Sequence, residues 1–157
     1  MITLHSIRVR VYYEDTDAGG IVYYANYLRF FERARTDWLR ELGFSHRALS
    51  HENGLNLVVR DCAVRYLRPA RLDDLLVVEV GLAEPAADLG RASLRLAQRA
   101  LLDDGTVLAT ASVRVASVDR ESGRPIALPE RVTTLMKSQV FSRISTRSLP
   151  DGTAEQQ

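Results

Sequence analysis

The sequence predicts an α+β domain in which an antiparallel sheet packs around one long helix. Two observations predict it. One segment, about residues 24–42, repeats its apolar residues at helical spacing, while several others alternate with period two. Most of the alternating segments also follow the helix in a run, as the strands of an antiparallel sheet do.

The first element covers about residues 5–13. Ile7, Val9, Val11 and Tyr13 share one face, expected to be buried, and Ser6, Arg8, Arg10 and Tyr12 share the other. Glu14 to Gly20 is a polar break carrying Gly19 and Gly20. In the long helix Tyr27, Leu28, Phe31, Ala34, Trp38 and Leu42 form the apolar stripe, and Phe30 and Leu39 widen it. So wide an apolar surface predicts a helix wrapped by a sheet. Gly43 stands where a helix stop is expected.

Ser45 to Asn53 reads as a short second helix. Strands are expected over 55–67, 75–83, 91–102 and 107–118. In the third of these Ala92, Leu94, Leu96 and Ala100 alternate with Arg91, Ser93, Arg95 and Arg99. In the fourth Val107, Ala109, Ala111, Val113 and Val115 share a face, and Asp103-Asp104-Gly105 before it has hairpin-turn chemistry. Pro129 opens a last helix, about 129–137. From Ser138 the chain is polar and aperiodic, which reads as a flexible C-terminal tail behind a domain spanning 1–137.

Composition narrows the function classes. The chain has 157 residues, of which 46% are hydrophobic and 26% charged, enough for one domain with a real core. A net charge of +1 gives no global pull toward nucleic acid or a membrane surface. The lone cysteine, Cys62, cannot staple the chain to itself, and its apolar surroundings predict a buried, inert thiol. His5, His46 and His51 lie apart, and no Cys/His cluster has metal-ligand spacing. No apolar stretch approaches the roughly 20 residues that span a bilayer. The first ten residues include Arg and His, unlike a secretory leader, so a cytoplasmic protein without membrane insertion is expected.

The junction between the first strand and the long helix carries the chemistry. Asp15 and Asp17 flank Thr16, and Gly19 and Gly20 follow. A helix N-terminus presents unpaired backbone N–H groups, and glycine lets backbone approach a ligand closely. Such a place can polarise a carbonyl while a carboxylate acts on its carbon. The same residues also make a plain turn with a capping Asp, Asp-x-Asp can hold a divalent metal, and Asn26 reads as a helix cap.

Tyr12-Tyr13-Glu14-Asp15-Thr16-Asp17-Ala18-Gly19-Gly20-Ile21-Val22-Tyr23-Tyr24-Ala25-Asn26-Tyr27 closely resembles the 4-hydroxybenzoyl-CoA thioesterase family of hotdog proteins. It is most similar to the branch associated with the Tol-Pal envelope system. Phe30 to Arg35 and Tyr66 to Asp74 match that branch too. The resemblance runs from about residue 5 to 137. It implies a hotdog fold, no cofactor, and a homo-oligomer, dimer or tetramer, with active sites at the subunit interface.

The implied reaction is hydrolysis of acyl-CoA to free acid and CoA, with short or medium aliphatic groups favoured and aryl groups accepted. Carrier-protein thioesters are the alternative substrate. The family's catalytic Asp falls on Asp17, acting as nucleophile or general base. The leaving thiol has a pKa of about 8.5 and departs without a strong general acid. Tyr24 falls where the family holds the thioester oxygen with a backbone N–H. The Tol-Pal branch often has His there, and the hydroxybenzoyl enzymes have Tyr. Asp15 is expected to fix the loop. Tyr13, Gly20 and Glu32 are candidates for the substrate site, with a surface ion pair to Arg as the other reading of Glu32. Arg91, after Gly90, is the candidate for the phosphates of CoA.

Three rivals remain at the level of sequence. A hotdog dehydratase needs a His at the junction, and none is there. A module that binds a carrier protein or an envelope partner needs no turnover. A metal-dependent transferase using Asp15 and Asp17 would lose activity to a chelator.

Overall fold

The computed structural model describes residues 1–147. The elements are β1 (Ile2–Arg10), α1 (Asn26–Glu41), α2 (His46–Asn53), β2 (Leu55–Tyr66), β3 (Leu75–Leu82), α3 (Pro85–Asp88), β4 (Ser93–Leu102), β5 (Val107–Asp119) and α4 (Glu130–Arg147). The strands form one antiparallel sheet in the order β1-β3-β4-β5-β2. The sheet wraps around α1, which packs on β1, β3 and β4; this is the hotdog arrangement.

The core follows the two periods read from the sequence. From α1, Tyr27, Phe30, Phe31, Ala34, Trp38 and Leu39 are buried. They meet alternate residues of the strands, such as Leu76, Val78 and Val80 from β3 and Leu94 and Leu96 from β4. Gln98 is the polar exception at such a position, 1% exposed. It is satisfied: its Nε2 donates to the Phe31 carbonyl at 3.0 Å, and its Oε1 accepts from Arg35 at 2.9 Å. α1 stops as expected, with Gly43 at φ +89°, a left-handed conformation that suits glycine. Ser45 caps α2 by accepting the Ala48 N–H at 3.1 Å.

Four expectations need correction. Tyr13 is 83% exposed, because β1 ends at Arg10 and a 3-10 turn over Tyr13–Asp15 breaks the alternation. Leu28 is 46% exposed, at the open N-terminal end of α1. Cys62 is exposed, not buried, because it lies on β2, an end strand of the sheet whose residues 58–63 are all exposed in this chain. Burial of part of its surroundings still pushes the Cys62 thiol above its ordinary value, against the pull of Arg35.

The fourth concerns the helix expected to end at 137. α4 continues to Arg147, so residues 138–147 are helical. Val132, Met136 and Val140 give it one buried residue per turn, a stripe too narrow to stand out in the sequence. Its other anchor is polar. Gln139 accepts the Trp38 indole N–H at 2.7 Å and donates to the Leu4 carbonyl at 3.1 Å. The rest of the expected flexible tail, 148–157, lies outside the described residues.

Candidate active site

Between β1 and α1 the chain makes two turns. In the 3-10 turn Asp15 Oδ2 accepts the Tyr12 N–H at 2.8 Å, the loop-fixing role expected of it. A small hairpin follows. Thr16 bridges Val22, the Asp17 N–H donates to the Ile21 carbonyl at 3.0 Å, and the Gly20 N–H donates to the Asp17 carbonyl at 3.0 Å. Gly20 sits at φ +72°, so its visible role is to close this turn.

The hairpin leaves Asp17 exposed and oriented. Its Oδ1 accepts the Gly19 N–H at 2.8 Å. Among the described residues Oδ2 has no protein partner and no Arg or Lys pairs with the carboxylate. One oxygen sets the direction of the group, and the other is open to a ligand.

The start of α1 supplies donors. The Tyr23 N–H donates to the Asp15 carbonyl at 2.9 Å, the Asn26 N–H to the Tyr23 carbonyl at 2.9 Å, and the Leu28 N–H to the Ala25 carbonyl at 3.1 Å. The N-cap is Ala25, whose side chain caps nothing. Asn26 is therefore not the cap; its Nδ2 donates to the Asp15 carbonyl at 2.9 Å and ties the helix to the turn. Among the described residues the Tyr24 and Ala25 N–H groups donate to no protein acceptor. They are orphan donors at the positive end of the helix.

The two sequence blocks that carry the resemblance meet here. The Val22 N–H donates to the Ala70 carbonyl at 2.9 Å, and Ile21 bridges Arg71. The Tyr66 hydroxyl donates to the Tyr24 carbonyl at 2.9 Å. Sequence reasoning singled out no role for Tyr66; its only signal was membership of the second block. Tyr27, 3% exposed, lies beneath. Burial pushes its phenol above the ordinary value more than the Ala70 backbone lowers it.

The other candidates lie apart. Tyr13 belongs to the 3-10 turn and points into solvent. Glu32 borders a cavity of about 130 Å³ walled mainly by apolar side chains, including Trp38, Leu94 and Val115. It accepts the Thr36 hydroxyl, which also lies 3.0 Å from His46 Nε2. Among the described residues it forms no ion pair with an Arg. Arg91 precedes β4 rather than opening it, and with Lys137 it borders a second cavity of about 340 Å³. The two cavities share Leu94 and Met136, and neither is lined by Asp17 or Tyr24. Among the described residues no group of three or more His, Cys, Asp or Glu is placed to hold a metal ion.

A free carboxylate oxygen and orphan N–H donors on one junction are the two parts that acyl transfer needs. Comparison with known proteins agrees with that chemistry. The model of the thioesterase-like superfamily matches residues 11–135. The acyl-CoA thioesterase YbgC of Haemophilus influenzae is 47% identical over 127 residues, covering 81% of this chain and 90% of that relative. The acyl-CoA thioester hydrolase YbgC of an Escherichia coli strain is 44% identical over 135 residues, covering 86% and 97%. A crystal structure of a thioesterase from Thermus thermophilus, complexed with coenzyme A and Zn, is similar with a TM-score of 0.72 and 30% identity, covering 88% and 95%. With most of its length matched in family model, relatives and fold alike, the chain belongs to the thioesterase-like superfamily.

Proposed function

We propose that this protein is a thioester hydrolase that cleaves acyl-CoA to a free acid and CoA, with Asp17 as the catalytic carboxylate. The observation that carries the reading is the junction itself, where the unpartnered Asp17 Oδ2 and the orphan Tyr24 N–H share one short hairpin-to-helix segment. The Tyr24 N–H takes the thioester oxygen and stabilises the charge that develops on it. Asp17 attacks the carbonyl carbon or draws a proton from the attacking water. Its hydrogen bond from Gly19 keeps one oxygen occupied and the other aimed outward. CoA leaves as a thiolate.

The apolar cavity beside Glu32 receives the acyl group, with short or medium aliphatic chains favoured as in the branch the sequence resembles. Arg91 and Lys137 offer cations to the phosphates of CoA. Both cavities stand apart from Asp17, and a second copy of the chain resolves this. Among the described residues β2 pairs only with β5, which leaves the other edge of this twelve-residue strand open, with Val58 41% and Val59 51% exposed. An open edge of that length is a template for pairing, and two copies joined along β2 form one continuous sheet. The Asp17 junction of one copy then works against the cavity of the other. No helix of the described residues is long and apolar enough to cross a membrane, and a cytoplasmic enzyme is the reading that goes with an acyl-CoA substrate.

The test is thiol release from a panel of acyl-CoAs, aliphatic from short to long plus 4-hydroxybenzoyl, with the Asp17→Asn protein alongside. Release from some members that disappears with the substitution supports the reading and reports chain preference. No release from any member by a folded oligomer rejects it in favour of carrier-protein thioesters or a binding module.

A further inference from the structure

Tyr24 must hold its N–H still for the mechanism above to work, and helix geometry alone does not do this. Tyr24 lies one residue before the N-cap, Ala25, so no N–H of the helix ladder is due to its carbonyl. The Leu28 N–H goes to Ala25. The Tyr24 carbonyl is thus left out of the helix ladder, and its acceptor capacity is met from 42 residues away by the Tyr66 hydroxyl, at 2.9 Å.

We infer that Tyr66 is a positioning residue for the reaction: it locks the Tyr24 backbone so that its N–H points at the thioester oxygen. The inference rests on the function proposed above. Two peptide planes flank the Tyr24 Cα. The one carrying the Tyr24 N–H is held by its own carbonyl, that of Tyr23, which accepts the Asn26 N–H at 2.9 Å. The other is held by Tyr66. With both planes fixed, rotation about the Tyr24 backbone is suppressed, and the donor is preorganised before substrate arrives.

The hydroxyl is itself held. The Tyr66 ring stands edge-on to Tyr24 at 6.0 Å and to the buried Tyr27 at 5.5 Å. Burial of its surroundings, and then Tyr24 and Cys62, raise its phenol above the ordinary value, so it remains a protonated donor at neutral pH. The ring packs independently of the hydroxyl, so Tyr66→Phe removes the hydrogen bond and keeps the packing.

The experiment compares wild-type and Tyr66→Phe proteins on an acyl-CoA that the wild type hydrolyses. It also records the infrared carbonyl stretch of a bound ketone analogue in which a methylene separates the CoA sulfur from the acyl carbonyl. We expect kcat to fall about five- to tenfold, the range of one ordinary hydrogen bond, with KM within about twofold. The bound carbonyl stretch moves to higher frequency, because the oxygen loses alignment with its donor. A purely structural role for Tyr66 leaves that frequency where it was. Unchanged kcat, a loss confined to KM, or a lower kcat with an unmoved stretch each overturn the inference while leaving the acyl-CoA reading intact. A wild type that hydrolyses no acyl-CoA removes both together.

Discussion

At the residue scale, Asp17 is the group on which the proposed reaction turns. The carboxylate is oriented by one backbone hydrogen bond and carries no counter-ion among the described residues, so replacing it changes charge more than shape. Asp17→Asn is expected to keep the fold and assembly, read by circular dichroism and light scattering, and to lose at least about a hundredfold in turnover, the low end for a positioned acid–base group. A near-normal rate would remove Asp17 from the mechanism. Tyr27 makes a separate prediction about pH. Its folded-state pKa is raised, mainly by burial. The folded protein therefore holds that proton more tightly than the unfolded chain, whose tyrosines titrate at about 10. The resulting stability is fully present below that pH and is lost as pH rises through the folded value. Denaturant melts from pH 8 upward should show an alkaline loss of stability that Tyr27→Phe diminishes.

At the scale of elements, α4 is where a polar residue does the joining. Trp38 is 2% exposed, and its indole N–H depends on Gln139 for an acceptor. The same side chain reaches the Leu4 carbonyl, so Gln139 links α1, β1 and α4. Gln139→Ala strands a buried donor and is expected to destabilise the fold by about 1–3 kcal/mol in denaturant titration. A change below a few tenths would mean that solvent takes over both bonds. His5 reinforces the same corner from β1, with Nε2 3.1 Å from Asp37 and Nδ1 against Glu41, both on α1. These links join residues more than thirty positions apart, so no local pattern announces them.

For the whole molecule, the proposed assembly turns on the outer edge of β2, unpaired among the described residues. Val59, half exposed on that edge, lies beside the register shift at Arg60. In the proposed dimer a charge there would add repulsion between copies and remove apolar contact from their seam. Val59→Lys is expected to shift the protein from oligomer to monomer in light scattering, and to lose acyl-CoA hydrolysis with it while the circular dichroism of the subunit is retained. An active monomer would show that each chain carries a complete site.

The sequence by itself determined the order and type of the long elements, because helical and strand periods are local and the core follows them; the short helix α3 and the 3-10 turn after β1 carry no such period and were not legible. It also picked out the candidate junction, since Asp15 to Asn26 are consecutive and their hydrogen bonds are mostly with one another. The tertiary structure decided everything that joins distant segments. It turned Tyr13 and Cys62 outward, because β1 stops early and β2 ends the sheet. It carried α4 to Arg147 on a narrow stripe and a glutamine. It also brought Tyr66 to the Tyr24 carbonyl. A periodic pattern records which face a residue presents, but a hydrogen bond across 42 positions exists only once the chain has closed on itself.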